Sequence, residues 1–378
     1  MYFPLNPEQE MIQVMVEQFA AREVAPGAAK RDESGEFPQS LVWKMAQLGL
    51  CGMMSPVKYG GSEVGAVAYV LALMEIASAC ASSAVTMSVT NLSCEPLALF
   101  GNEDQKIRLL TPMASGKFLG AFALTEPEAG SNLAEIRCKA RRKGALYLIN
   151  GSKIFITNGA YAGEIFVLAR TGESGGRGLT AFMVEKDSPG LKVGKNIQKM
   201  GLRASNTVEL LFEDCEVAEE NRIGKEGEGM MIVIRALASG RIGIAAQAVG
   251  MIRACLEEAK TYSLQRQQFN KFLSGHQAVQ WMIAEIATGL EAATLLTLSA
   301  AALKDAGRPY MKEASMAKLF ATETLNRCAY QALQVHGGYG YTKEFPIERI
   351  YRDARVTTIY EGTSEVQRML IAKETLKP

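Results

Sequence analysis

The chain has 378 residues, 48% hydrophobic and 21% charged, with 41 Lys and Arg against 40 Asp and Glu. That length favours two or three domains, and a net charge of +1 carries no electrostatic footprint for nucleic acid or an anionic membrane. Only two histidines, His276 and His336, are present, neither in a metal-ligand spacing, so a zinc site or a Ser–His triad is disfavoured.

Residues 1–20 carry acids and no basic n-region, which argues against a signal peptide. MIQVMVEQFAAREVAP reads as a helix stopping at Pro26, and LVWKMAQLGLCGMM as a second before the Gly60-Gly61 break. AVAYVLALMEIASACASSAVTMSV is apolar nearly all round, as in a buried core helix. From residue 118 the pattern changes: ALYLINGSKIFI reads as two strands joined by an Asn150-Gly151 hairpin. GEIFVLAR, GLTAFMVEKD and NTVELLFEDCEV are further strands with no room for crossover helices, so the segment is mostly antiparallel. Beyond residue 225 long helical patterns with short connections imply a four-helix-type bundle. The expected architecture is α+β and multidomain: a helical domain at 1–117, a β domain at 118–224 and a helical bundle at 225–378. No apolar run reads as long and uninterrupted enough to span a bilayer. Seven scattered cysteines without a C-x-x-C suit reduced thiols in a cytoplasm-like compartment.

With histidine so scarce, an enzyme built from this chain would use a carboxylate base and leave the hard chemistry to a cofactor. IYEGTSEVQ, residues 359–367, offers Glu361 beside Gly362, ahead of a Ser364–Gln367 capping-box pattern. On its own the stretch is equally an acidic turn at a helix N-terminus. LTEPEAGSN, residues 124–132, is rich in turn formers, and FITNG, residues 155–159, ends the expected hairpin with an aromatic and a hydroxyl residue.

Together LTEPEAGSN, FITNG, GLRASNTVELLFEDCEV, RIGIAAQAVG, RQQF, QVHGGYGY and YRDARVTTIYEGTSEVQ resemble the acyl-CoA dehydrogenase family. These are FAD-dependent flavoenzymes of β-oxidation and amino-acid breakdown, and the resemblance covers essentially the whole chain. The resemblance implies that Phe122, Leu124 and Thr125 line the flavin ring and that Ser131 is shared between the flavin phosphate and CoA. It places Phe155 beside the isoalloxazine, where a Trp is more usual, and Thr157 at the reactive flavin edge. It assigns Arg266, Phe269, Gln277, Gln334, Gly337 and Gly338 to the FAD of a neighbouring subunit, and Thr363 and Glu365 to the loop beside the adenine half. A shared FAD implies an oligomer, typically a homotetramer built as a dimer of dimers.

The reaction implied is α,β-dehydrogenation of an acyl-CoA thioester, with Glu361 as the base that takes the α-proton. Arg241, Tyr360 and Gly362 are expected beside the substrate, with electrons passing to an electron-transferring flavoprotein. Some members carry the base on a long helix instead, at the position that is Gly240 here, so Glu361 inherits the role. His336 is expected in a loop near the cofactor. Three departures stand out: Ala238 where Asp is common, Asn132 for the Asp of AGSD, and Asn270-Lys271-Phe272 in place of G-x-P. MSVTNLS, residues 87–93, with Gly240 and Tyr360, is similar to the short-chain (butyryl-type) branch. Ala84, where glutaryl-type members carry an Arg, disfavours a dicarboxylic substrate; branched and alicyclic short acyl groups stay open. The alternatives are an acyl-CoA oxidase using oxygen and a non-catalytic acyl-CoA- or partner-binding helical protein. The expected compartment is the cytoplasm, or the mitochondrial matrix for a processed eukaryotic chain.

Overall fold

A computed structural model describes residues 3–377. The N-terminal helices are α1 (Pro7–Phe19), α2 (Ala28–Ser34), α3 (Gln39–Gln47), α4 (Gly65–Ala79), α5 (Ala81–Phe100), α6 (Glu103–Gln105) and α7 (Thr111–Ala114). Asn6 and Gln9 close a capping box at the start of α1, with Pro7 just inside the helix where its missing N–H costs nothing. The helical path does not stop at Pro26. It passes through a π turn at Ala20–Val24 and a 3-10 turn at Ala25–Gly27 into α2, because Pro26 falls in a first turn. The expected single core helix is two, α4 and α5, broken at Cys80 by an extended residue (φ −159°, ψ 107°).

The middle segment contains β1 (Leu119–Ala123), β2 (Lys139–Lys143), β3 (Leu146–Thr157), β4 (Ala162–Arg170), β5 (Leu179–Glu185), β6 (Leu191–Asn196), β7 (Thr207–Ala218) and β8 (Arg222–Ile223). They form one sheet in the order β6-β7-β3-β2-β4-β5-β8, with β1 against β4. Pairing is antiparallel except for β1–β4 and a single β2–β4 pair.

The Asn150-Gly151 hairpin is absent: β3 runs straight through it, paired with β7, and the register shifts between Ile149 and Gly151. Gly151 (φ +144°) is a bulge glycine, and a Cβ there would lie 2.8 Å from the Cys138 Cα. Asn150 is used across the sheet, exchanging 2.9 Å hydrogen bonds with the backbone N–H and carboxylate of Asp214. The tight turn is at Gly144 (φ +62°) and Ala145, joining β2 to β3.

The C-terminal helices are α8 (Gly229–Gln265), α9 (Gln277–Asp305), α10 (Met311–His336), α11 (Ile347–Ala354) and α12 (Ser364–Thr375). A ribbon of β9 (Gln267–Gln268) and β10 (Lys271–Phe272) precedes α9. Its turn, Phe269-Asn270, has both φ values positive (53° and 60°), so Asn270 takes the left-handed conformation that a glycine would otherwise supply. Helix α8 is the centrepiece, packing on α4, α5, α9 and α10, while its first turns touch β5. By length and composition both α8 and α9 could cross a membrane, contrary to the sequence expectation. For α8 the reason is burial in the core, where 72% of its apolar window is enclosed by other helices; for α9 the figure is 33%.

Candidate active site

Glu361 lies in the short loop before α12, with its backbone in the left-handed region (φ +54°), followed by Gly362 at φ +92°. A glutamate in that region is strained, and such strain persists only where the surroundings enforce it. Here they do. The buried Lys318 ammonium of α10 donates to the Gly362 carbonyl at 2.8 Å. The Gln367 amide donates to the same carbonyl at 2.9 Å and approaches that of Glu361 at 3.4 Å. This corrects the Ser364–Gln367 capping box. Thr363 is the N-cap, accepting from the Val366 N–H, and Gln367 turns back to pin the loop.

The Glu361 carboxylate points inward, and its Oε2 is shielded from solvent without a hydrogen-bond partner. Burial pushes its pKa up, the positive charges of Arg241 and Lys318 pull it down, and the balance is about 7. Burial likewise lowers Lys318 to about 8. Arg241, on α8, is itself buried with Nε and Nη1 unpartnered. Buried polar groups without hydrogen-bond partners are rare in folded proteins, so these two oppositely charged groups on α8 and the Glu361 loop are the candidates for contact with a polar ligand.

Gly240 leaves the room that this carboxylate occupies. A Cβ at 240 would sit 2.8 Å from Glu361 Oε2 and 3.3 Å from the Leu92 side chain, so a side chain there and this carboxylate claim the same space. Tyr360 anchors the other side of the loop, its hydroxyl donating to Gln247 Oε1 at 2.7 Å while Gln247 Nε2 holds the Ala81 carbonyl.

A second group lies along β1, β3 and the loop between β1 and β2. Phe122 is half-buried and stacks on Phe166 at 4.4 Å; Leu124 is buried, and Thr125 accepts the Ile154 N–H through its carbonyl. Phe155 is 61% exposed at φ +63°, where the β3–β7 register shifts again, and Thr157 closes the strand. Lys153 beneath them is 0% exposed; it donates to Glu126 at 2.8 Å and to the Leu124 carbonyl at 2.9 Å. Glu126 also accepts the N–H groups of Arg137 and Cys138, which closes the loop on itself. Ser131 is exposed on that loop, and Asn132 keeps the capping role, accepting from the Ala134 N–H. An exposed aromatic held in a strained conformation beside backbone and hydroxyl donors suits a flat polar cofactor such as a flavin.

Arg266, Gln334, Gly337 and Gly338 line a third region, a cavity of about 640 Å³ between the ends of α8 and α10, which includes none of the residues around Glu361. Phe269 is 89% exposed beside it and Gln277 is exposed at the start of α9. His336 is not in a loop but ends α10, buried, stacked on Tyr262 at 4.4 Å, with Nδ1 2.8 Å from the Ala332 carbonyl. Thr363 and Glu365 sit on the first turn of α12, Thr363 half-buried and Glu365 exposed.

The residues that sequence reasoning missed are Lys318, Gln247, Lys153 and Glu126, while to Gln367 it assigns a capping role instead. Two of them left a readable signal: Lys153 and Lys318 are lysines at core-facing positions of a strand and a helix, where a charge is rare unless paired. Among the described residues no cluster of His, Cys, Asp and Glu could hold a metal ion, and all seven cysteines are free and buried.

Three family models match the chain: acyl-CoA dehydrogenase, N-terminal domain (residues 6–117), middle domain (121–215) and C-terminal domain (227–376). An acyl-CoA dehydrogenase of Bacillus subtilis is 47% identical over 98% of this chain and 99% of its own. The butyryl-CoA dehydrogenase of Megasphaera elsdenii superposes with a TM-score of 0.98 at 40% identity, covering 100% of both chains. A chain from a structure of the electron transferring flavoprotein of Acidaminococcus fermentans, concerned with flavin-based electron bifurcation, also superposes at 0.98, with 43% identity and 100% coverage of both.

Proposed function

The chain belongs to the FAD-dependent acyl-CoA dehydrogenase family, and on that premise we propose that it oxidises a short-chain acyl-CoA to the 2-enoyl-CoA with Glu361 as the base. The observation that carries the reading is the Glu361 carboxylate: inward-facing, unpartnered, held by a strained and pinned loop, and poised at about 7. An α C–H of a thioester is a weak acid, so a base must meet it in a fixed geometry while the carbonyl oxygen is hydrogen-bonded. The Glu361 N–H, which makes no backbone hydrogen bond among the described residues, is the chain's own donor for that oxygen. Gly362 permits the close approach. Bound FAD would supply the hydride acceptor for the β carbon. Phe122, Leu124, Thr125, Phe155 and Thr157 would hold its ring, with Ser131 between its phosphate and CoA.

Arg241 balances the charge of Glu361, keeping enough carboxylate ionised near neutrality to accept the proton. Arg266, Phe269, Gln277, Gln334, Gly337 and Gly338 face outward and would complete the FAD site of a second subunit, within a dimer of dimers. The similarity to the butyryl-CoA dehydrogenase supports a short acyl group, and the Acidaminococcus structure supports an electron-transferring flavoprotein as acceptor.

Anaerobic titration of the yellow protein with acyl-CoAs tests the reading. Butyryl-CoA should bleach the flavin, and reoxidation by an electron-transferring flavoprotein should outpace reoxidation by oxygen. A colourless protein, or one that no acyl-CoA bleaches, would sink it; fast reoxidation by oxygen would favour an oxidase. The pH profile is a separate prediction. Because the carboxyl is raised to about 7 and only the ionised form accepts a proton, kcat/KM should climb about tenfold per pH unit below 7 and level off above it. A flat profile between pH 5 and 9 would mean that Glu361 is not the titrating base.

A further inference from the structure

We propose that Tyr69, seated against Ser88 and Gly243, forms the end wall of the acyl pocket and limits the substrate to about four or five carbons. The proposal rests on Glu361 as the base, because pocket depth is counted from the α carbon that its carboxylate must meet.

The depth follows from how α5 and α8 face each other. At the level of the carboxylate, Gly240 of α8 lies against Leu92 of α5 and Glu361 Oε2. Three residues further along α8, a Cβ on Gly243 would meet the Tyr69 hydroxyl at 2.7 Å and Ser88 Oγ at 2.9 Å. Ser88 stands four residues before Leu92 on α5, so the two layers lie on the same faces of two antiparallel helices. Three to four residues of helix separate them, a rise of about 5 Å. With no side chain of its own at either position, α8 is covered by groups from elsewhere: Glu361 Oε2 and Leu92 over Gly240, and the Tyr69 hydroxyl and Ser88 Oγ over Gly243, one helical turn beyond the carboxylate. Carbon–carbon bonds of about 1.5 Å laid in zigzag reach that depth in three or four steps. Allowing for contact with the hydroxyl, two or three carbons beyond the α carbon fill it.

The wall is firm. Tyr69 comes from α4, where every residue from Ala66 to Ala77 is buried, and is itself only 2% exposed. Its hydroxyl lies 3.3 Å from Ser88 Oγ. Burial and the nearby Glu361 charge both raise its pKa well above the usual range, so it stays neutral and presents no charge to the acyl end.

The test compares propionyl-, butyryl-, hexanoyl- and octanoyl-CoA on FAD-loaded parent, Tyr69→Val and Gly243→Ala proteins. Tyr69→Val should raise the octanoyl-to-butyryl ratio of kcat/KM at least tenfold, mainly by lowering KM for octanoyl-CoA. Gly243→Ala pushes the hydroxyls inward and should lower butyryl-CoA turnover several-fold relative to propionyl-CoA. The Gly243 variant keeps the question open to test if Tyr69→Val does not fold. Unchanged chain-length ratios in whichever variants fold with normal thermal melts would overturn the proposal. If butyryl-CoA fails to bleach the parent, the dehydrogenase reading fails instead, and the two failures are told apart by the parent alone.

Discussion

Glu361→Gln is expected to retain FAD and bind acyl-CoA while losing flavin reduction by a factor of about 10²–10⁴, the contribution of a positioned general base. The amide matches the carboxylate in shape, so the packing against Gly240 is kept; only the proposed proton acceptor is lost. Stopped-flow bleaching with butyryl-CoA measures the effect, and bleaching at the parent rate would show the base to be elsewhere. A melting experiment separates this loss from unfolding. The folded-state pKa of Glu361 is raised from 4.5 to about 7, so the native protein binds this proton more tightly than the unfolded chain. Its contribution to stability is therefore complete below about pH 4.5 and falls as the pH rises through 7. Glutamine carries no such liability, so the variant should melt at or above the parent at pH 8, with the gap closing toward pH 4.5.

Lys153→Met should have the largest effect on stability. The lysine is fully buried, and its removal leaves Glu126 in the protein interior with two backbone donors but no counter-charge. Breaking a buried pair from one side costs about 3–5 kcal/mol. The damage falls on the segment proposed to hold the flavin ring, because Lys153 also holds the Leu124 carbonyl and so sets the strand end that carries Thr125. Thermal unfolding should shift markedly downward, and FAD should be lost on gel filtration. Adding Glu126→Gln should recover part of the stability, since an amide can keep one backbone N–H without a buried charge. A single Lys153→Met protein that melts normally and stays yellow would show that the pair does not hold this loop.

Much of the molecule was legible in the residues. Seven motifs in order pointed to the family, the β segment was recognisable from strand-like runs too close for helices, and scarce histidine pointed to a carboxylate base that the family resemblance then placed at Glu361. The misreadings share one physical cause. Asn150-Gly151 is a strong hairpin signal locally, yet the dipeptide serves a bulge, because Cys138 of the neighbouring strand end approaches too closely for any side chain. Cys80 interrupts an unbroken apolar run with no helix breaker to announce it. Ser364–Gln367 fits a capping box, but Gln367 finds carbonyls in the Glu361 loop instead.

The sequence by itself determined the order of helical, β and helical segments, the family, and the carboxylate to suspect, because these depend on residue types and their spacing along the chain. Only the tertiary structure decided what surrounds that carboxylate. Gly240 and Leu92 come from two different helices, Arg241 and Lys318 from α8 and α10, and Tyr69, one helical turn further along α8 at Gly243, comes from α4, more than 250 residues from Glu361 in sequence. Proton affinity and pocket depth are set by burial and by the distance between such groups, and neither quantity exists until the helices pack.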